Sequence, residues 1–217
     1  MTTASARRQV ATNLGFAFLK ASFVFASIRL ADEFLAAEVM GLVLLFRRQG
    51  ALWANLLQLG MSQSLRKFYL RSSDQSVRRL LWVRLVKWVT LSSCAAFLFC
   101  VAFGQYVGIA LFSEPDPAIA WIFALYAGAI ALGFMASSSW LVEFRFLQYN
   151  VIDWLNGSAI FVLLLLVGSQ WSATNLMLML ALCSIAASMI SLAWFAGTFI
   201  GRQAISNKGW AIESEVG

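Results

Sequence analysis

Ala118-Ile-Ala-Trp-Ile-Phe-Ala-Leu-Tyr-Ala-Gly-Ala-Ile-Ala-Leu-Gly-Phe-Met-Ala-Ser-Ser-Ser-Trp-Leu141 contains no charged side chain. A hydrocarbon core about 30 Å thick is crossed by about 20 mostly apolar residues in an α-helix, so this stretch is long enough to span a bilayer. Similar runs lie at residues 11–31, 40–65, 83–112, 150–168 and 174–200. The run over 83–112 is too long for one straight crossing and is expected to extend into the cytoplasm. A spanning barrel would show short alternating strands, whereas these runs are continuous and rich in Leu, Ala and Phe. The expected fold is an all-α membrane protein, a bundle of about six transmembrane helices over residues 11–200. Residues 1–10 and 201–217 are expected to be cytoplasmic tails.

Composition agrees with this reading and removes other classes. Apolar residues make up 61% of the 217 positions and charged residues 12%, more apolar than a soluble domain of this size needs. The net charge of +6 does not point to nucleic acid, because the basic residues fall between apolar runs, where they face anionic membrane lipids. The sequence has no His, which removes the commonest general base and neutral-nitrogen metal ligand. Cys94, Cys100 and Cys183 lie inside apolar stretches and read as small hydrophobes. No metal and no cofactor is implied. The apolar stretch after Met1–Val10 has no small-residue cleavage site and reads as a retained helix.

Charge asymmetry orients the spans. Arg7, Arg8, Arg66, Lys67, Arg71, Arg78, Arg79, Arg84, Lys87, Arg145, Arg202 and Lys208 fall on one side of the alternating connections, against Arg29 alone near the other. The opposite connections carry Asp32, Glu33 and Glu38, then Glu114 and Asp116, then the uncharged segment Ser169 to Ala173. The positive-inside rule puts both termini in the cytoplasm, as an even number of spans requires. Small residues at Ala129-xxx-Gly133 and Ala193-xxx-Gly197-xxx-Gly201 are expected to admit close helix packing. Asn156-Gly-Ser158 matches a glycosylation sequon but lies near the start of an apolar span and is set aside.

Ionised groups within spans are costly, about 2.5 to 3.5 kcal/mol each on insertion scales, so each needs a reason. Asn13, Lys20 and Ser27 recur at seven-residue steps, close to one helix face. Arg47 with Gln58, and Arg48 with Asn55 and Ser62, form a second polar stripe. Such a side lines a water-filled cavity or pairs with another helix. In the plainer reading, Arg29 and Arg47 snorkel toward headgroups, Arg29 pairs with Asp32 or Glu33, and a carbonyl stabilises Lys20. Lys20 and Arg48 have no acid in the first four spans placed to neutralise them, and uncompensated cations suit a phosphate or pyrophosphate ligand. The candidate anion contacts are Lys20, Arg47, Arg48, Asn55 and Gln58. Asp153 is either an ion-coupling site or an acid placed favourably near a helix start. The basic cluster from Arg66 to Lys87 reads first as a topology determinant and headgroup contact.

Two stretches carry a resemblance. Arg29-Leu-Ala-Asp-Glu-Phe-Leu-Ala-Ala-Glu-Val-Met-Gly-Leu42 followed by Leu59-Gly-Met-Ser-Gln-Ser-Leu-Arg-Lys-Phe68, and Phe144-Arg-Phe-Leu-Gln-Tyr-Asn150, resemble the first two helices and the start of the fifth in bacterial O-antigen and oligosaccharide-lipid flippases. These belong to the multidrug/oligosaccharidyl-lipid/polysaccharide exporter superfamily. The likeness implies one lobe, the N-terminal one, of a two-lobe exporter. It implies a polyprenyl-pyrophosphate-linked oligosaccharide as cargo, a second six-helix lobe as partner (self or a separate chain), and the bacterial inner membrane as location. A second expectation is a non-transporting scaffold or assembly subunit of a polysaccharide-synthesis complex. A membrane enzyme ranks third, because no catalytic constellation is legible.

Overall fold

The computed structural model describes the backbone of residues 3–72, 74–167 and 171–215 and the side chains of 10–72, 74–156, 159–166 and 171–198. The side chains of Arg7, Arg8, Gly157, Ser158, Gly201, Arg202 and Lys208, and Ser169 and Gln170 of the connection from Ser169 to Ala173, lie outside the described residues. Every regular element among the described residues is helical. In order these are α1 (Thr3–Phe34), α2 (Ala37–Gln58), α3 (Met61–Arg71), α4 (Gln75–Ala102) and α5 (Gly104–Phe112). There follow α6 (Pro117–Val142), α7 (Phe146–Trp154), a π-helical turn (Leu155–Ala159), α8 (Ile160–Val167) and α9 (Ala173–Glu215).

Among the described residues, four helical stretches are long and apolar enough to cross a membrane: Val10–Phe34, Gln75–Ala102, Pro117–Val142 and Ala173–Thr198. This is the make-up of a multi-pass α-helical membrane protein. Its exterior agrees, since Phe18, Phe25, Leu98, Phe99 and Ile190 each leave more than half of their surface uncovered, a pattern that suits lipid rather than water. The stretch quoted at the outset becomes the axle of the fold. Of the apolar window in α6, 72% is buried, against 11% for α1 and for α4, and α6 packs on α2, α3, α4, α5, α7 and α9. Pro117 opens this helix where no N–H is needed, and the Asp116 carboxylate accepts from the Ala118 amide at 2.8 Å. Inside α6, Ser137 and Ser139 donate to the carbonyls of Gly133 and Met135, at 2.9 and 2.7 Å, so these hydroxyls are satisfied without water.

Several boundaries differ from the hydropathy reading, for local reasons. The expected span over 40–65 is two helices, because Leu59 and Gly60 both adopt positive φ (46° and 74°) and end α2 in a left-handed turn. Hydropathy is blind to this turn, since Leu59 is apolar and lies within the run. The expected span over 83–112 starts earlier, at Gln75, and breaks at Phe103, leaving α5 as a short separate helix. Asp74 caps α4, and hydrogen bonds from the Ser76 hydroxyl and amide hold its carboxyl below the usual carboxylate range. The tails are not structurally separate, for α1 begins at Thr3 and α9 runs to Glu215.

The packing motifs divide. Ala129 and Gly133 do meet a neighbour: the Ser188 hydroxyl of α9 donates to the Ala129 carbonyl at 2.9 Å. Ala193 and Gly197 are exposed, and a methyl group at Gly197 would meet open space, so they join no close contact among the described residues.

Candidate functional site

Polar residues scattered over five helices converge on two adjoining cavities. The larger, about 500 Å³, lies among α2, α3, α6 and α7 and is walled by Asn55, Gln58, Ser62, Gln63, Arg66 and Tyr149 among others. The smaller, about 220 Å³, lies among α1, α2, α6, α7 and the π turn, and Lys20, Arg47, Tyr126 and Asn156 help to line it. Phe134, Ser137 and Asp153 belong to both walls, so the two form one polar cleft.

Each helix delivers its residues by period. On α2, Val43, Phe46, Gly50, Ala54 and Gln58 are buried, a stripe at spacings of three and four that faces the core. Arg47 and Ala51 flank that stripe and reach the smaller cavity. The Arg47 guanidinium lies 4.0 Å from the centre of the Phe161 ring and also donates toward the Tyr126 hydroxyl, so a ring face and a hydroxyl stabilise its charge. On α1, the seven-residue stripe is a seam. Asn13 accepts from Asn150 at 2.8 Å, Lys20 donates to Asp153 at 2.6 Å, and the buried Ser27 bonds back to Val24. Arg66, carried inward by the turn at Leu59 and Gly60, donates to Ser138 at 3.3 Å.

The expected residues therefore separate. Lys20 is not uncompensated, as the reading of the first four spans held, because Asp153 from the fifth apolar stretch pairs with it. Asp153 sits beyond the first turn of α7, so favourable placement at a helix start does not explain it. Arg47 lines the cleft, whereas Arg48, one residue and 100° further round, is exposed and lines neither cavity. Gln58 is buried; its amide donates to the Ala131 carbonyl of α6 at 2.9 Å and its oxygen accepts from Ser62. Its role is therefore partly to tie α2 to α6. Asn55 is exposed at the cleft and bonds back to Ala51 at 3.0 Å. Arg29 is exposed, 3.8 Å from Asp32.

Among the cleft residues that the sequence does not assign to a site are Arg66, Tyr126 and Asn156. By sequence Arg66 reads as one of the headgroup-facing cluster, and only the α2–α3 turn separates it from that cluster. Tyr126 sits in an apolar run and has no sequence signal. Asn156 shares a face with Asp153 at three-residue spacing, which was legible, but its burial was not. The charged residues lining the cleft are Lys20, Arg47, Arg66 and Asp153, three cations and one carboxylate, an excess that favours an anion.

No protein-family profile, no curated protein and no solved structure matches the chain.

Proposed function

We propose that the chain is one lobe of a translocase that flips a polyprenyl-pyrophosphate-linked oligosaccharide across the bacterial inner membrane for surface polysaccharide synthesis. The supporting observation is the cleft: three cations facing one carboxylate on walls contributed by α1, α2, α3, α6, α7 and the π turn. Arg47 and Arg66 are the guanidiniums suited to grip a pyrophosphate in bidentate fashion, and Asn55 and Gln58 supply neutral polar walls. The prenyl chain would remain in lipid while the headgroup enters the cleft.

In this reading the chain crosses the membrane six times. To the four apolar helices it adds α2, whose hydropathy is interrupted by Arg47 and Arg48. It also adds the run from Phe146 to Val167, which continues helically through the π turn. Both termini are then cytoplasmic. A second lobe, from another copy or a separate chain, closes the open side of the cleft, and rocking of the two lobes moves the headgroup across.

Proteoliposomes carrying a fluorescent polyprenyl-pyrophosphate sugar test this reading. Arg47→Ala is expected to slow flipping about tenfold or more, the scale of losing a charge-assisted bond. Arg48→Ala, off the cleft, is expected to retain the wild-type rate. Undiminished flipping by Arg47→Ala, at equal protein levels, would refute the proposal.

A further inference from the structure

The Lys20–Asp153 pair does more than neutralise a lysine, because it joins two helices held together along a narrow line. α1 meets α7 through Asn13 with Asn150, Lys20 with Asp153, and the edge-on rings of Phe23 and Trp154, whose centres are 5.0 Å apart. α1 also packs on α8 and the π turn, but only 11% of its apolar window is buried. The paired side chains keep 42% and 28% of their surface exposed, so an anion in the cleft reaches Lys20 without prior unpacking of the helices.

A second observation lies beside the pair. Both amide atoms of Asn156, Oδ1 and Nδ2, are buried and have no hydrogen-bond partner among the described residues. Asn156 lies in the π turn and lines the smaller cavity, and π turns inside helices recur at functional positions. Its space is reserved by Gly133, where a methyl group would come within 2.7 Å of Nδ2. A buried amide unpaired at both ends is costly and calls for an explanation. A ligand that accepts from Nδ2 provides one.

Building on the anion-carrier reading above, we infer that Asp153 is a resident counter-ion that the ligand's pyrophosphate displaces from Lys20. Asn156 donates to the same oxyanion, and the exchange loosens the α1–α7 seam. Without a ligand, Lys20 and Arg47 share a small cavity within the membrane, and the Asp153 carboxylate offsets that cost. With a pyrophosphate bound, the stronger anion takes over this role and the carboxylate is left without its cation. Binding and seam opening are then coupled reciprocally, so removing the competing Asp153 carboxylate by mutation strengthens ligand binding.

The test uses the full chain in nanodiscs of zwitterionic lipid, with inorganic pyrophosphate as probe and polyprenyl pyrophosphate against polyprenyl monophosphate as separate arms. Asp153→Asn is expected to bind inorganic pyrophosphate about fivefold or more tightly than wild type, with Lys20→Met and Asn156→Leu weaker by similar factors. Spin labels at Ala17 and Leu147 in an otherwise wild-type chain are expected to separate when pyrophosphate is added, a readout that does not require the Asp153 variant to fold. Tighter binding only of the polyprenyl form would identify the lipid as the source of the anion and support the inference. Unchanged or weaker binding of both inorganic and polyprenyl pyrophosphate by folded Asp153→Asn, or an unchanged label distance, would overturn the counter-ion role. If Arg47→Ala still abolished wild-type binding, the carrier reading would survive. Failure of wild type to bind any pyrophosphate would overturn both.

Discussion

Replacing Gly50 by Ala tests how the wall of the cleft is built. An ideal Cβ at this position comes within 2.5 Å of both Cδ1 and Cε1 of Tyr126, where carbon atoms prefer about 3.5–4.0 Å. The ring has little room to retreat, since Tyr126 is only 4% exposed and stacks on Phe46 with ring centres 5.1 Å apart. Overpacking of this kind costs about 1–3 kcal/mol. Ala in place of Gly in a helix interior returns about 0.5–1 kcal/mol, so a net loss of up to about 2.5 kcal/mol is expected. The three nearest atoms to the added Cβ all belong to Tyr126. In a Tyr126→Ala background the clash therefore disappears, and Gly50→Ala should stabilise by about 0.5–1 kcal/mol. Unfolding of the purified protein in mixed micelles by added SDS, followed by tryptophan fluorescence, measures all four members of the cycle. A cost that is the same in both backgrounds, or a Gly50→Ala protein more stable than wild type, would refute the reasoning.

Two further outcomes are expected. Tyr69 is buried and donates to the Glu143 carboxylate, tying α3 to the end of α6; Tyr69→Phe should cost about 1.5–3 kcal/mol in the same assay, and an unchanged midpoint would remove that tie. Single cysteines at Ser76 and Glu114, both exposed and separated by α4 and α5, should label from opposite faces in cells stripped of native cysteines. On the proposed topology an impermeant maleimide should reach Glu114→Cys in intact spheroplasts and Ser76→Cys only after permeabilisation, and labelling of both from one side would overturn that proposal.

Membrane character and the rough positions of the apolar helices were legible in the chain because lipid solvation is a local property. A helix must satisfy its backbone internally and present apolar side chains over its own length, and both demands are written in consecutive residues. Thus the run from Ala118 to Leu141 corresponds closely to α6, and Thr174 opens the sixth run one residue after α9 begins. Helical period also made the stripe of Asn13, Lys20 and Ser27 legible as a face that needs partners. What hydropathy averages away was lost: the left-handed turn at Leu59 and Gly60, the break at Phe103 and the π turn at Leu155–Ala159 each change direction or phase without changing apolarity.

Only the tertiary structure decided which polar groups meet. Lys20 and Asp153 are 133 residues apart in the chain yet 2.6 Å apart in space, and no local pattern encodes that pairing. The choice between Arg47 and Arg48 was likewise open in the sequence. It is settled by the rotation of α2 about its axis, which follows from the buried row Phe46, Gly50, Ala54 and Gln58 seating against α6. The sequence by itself determined that cations lie within membrane-length helices and must be accommodated. Packing determined that one is held by a carboxylate, one by an aromatic ring and a hydroxyl, and one is exposed, because charge compensation depends on distances between helices that only the assembled bundle sets.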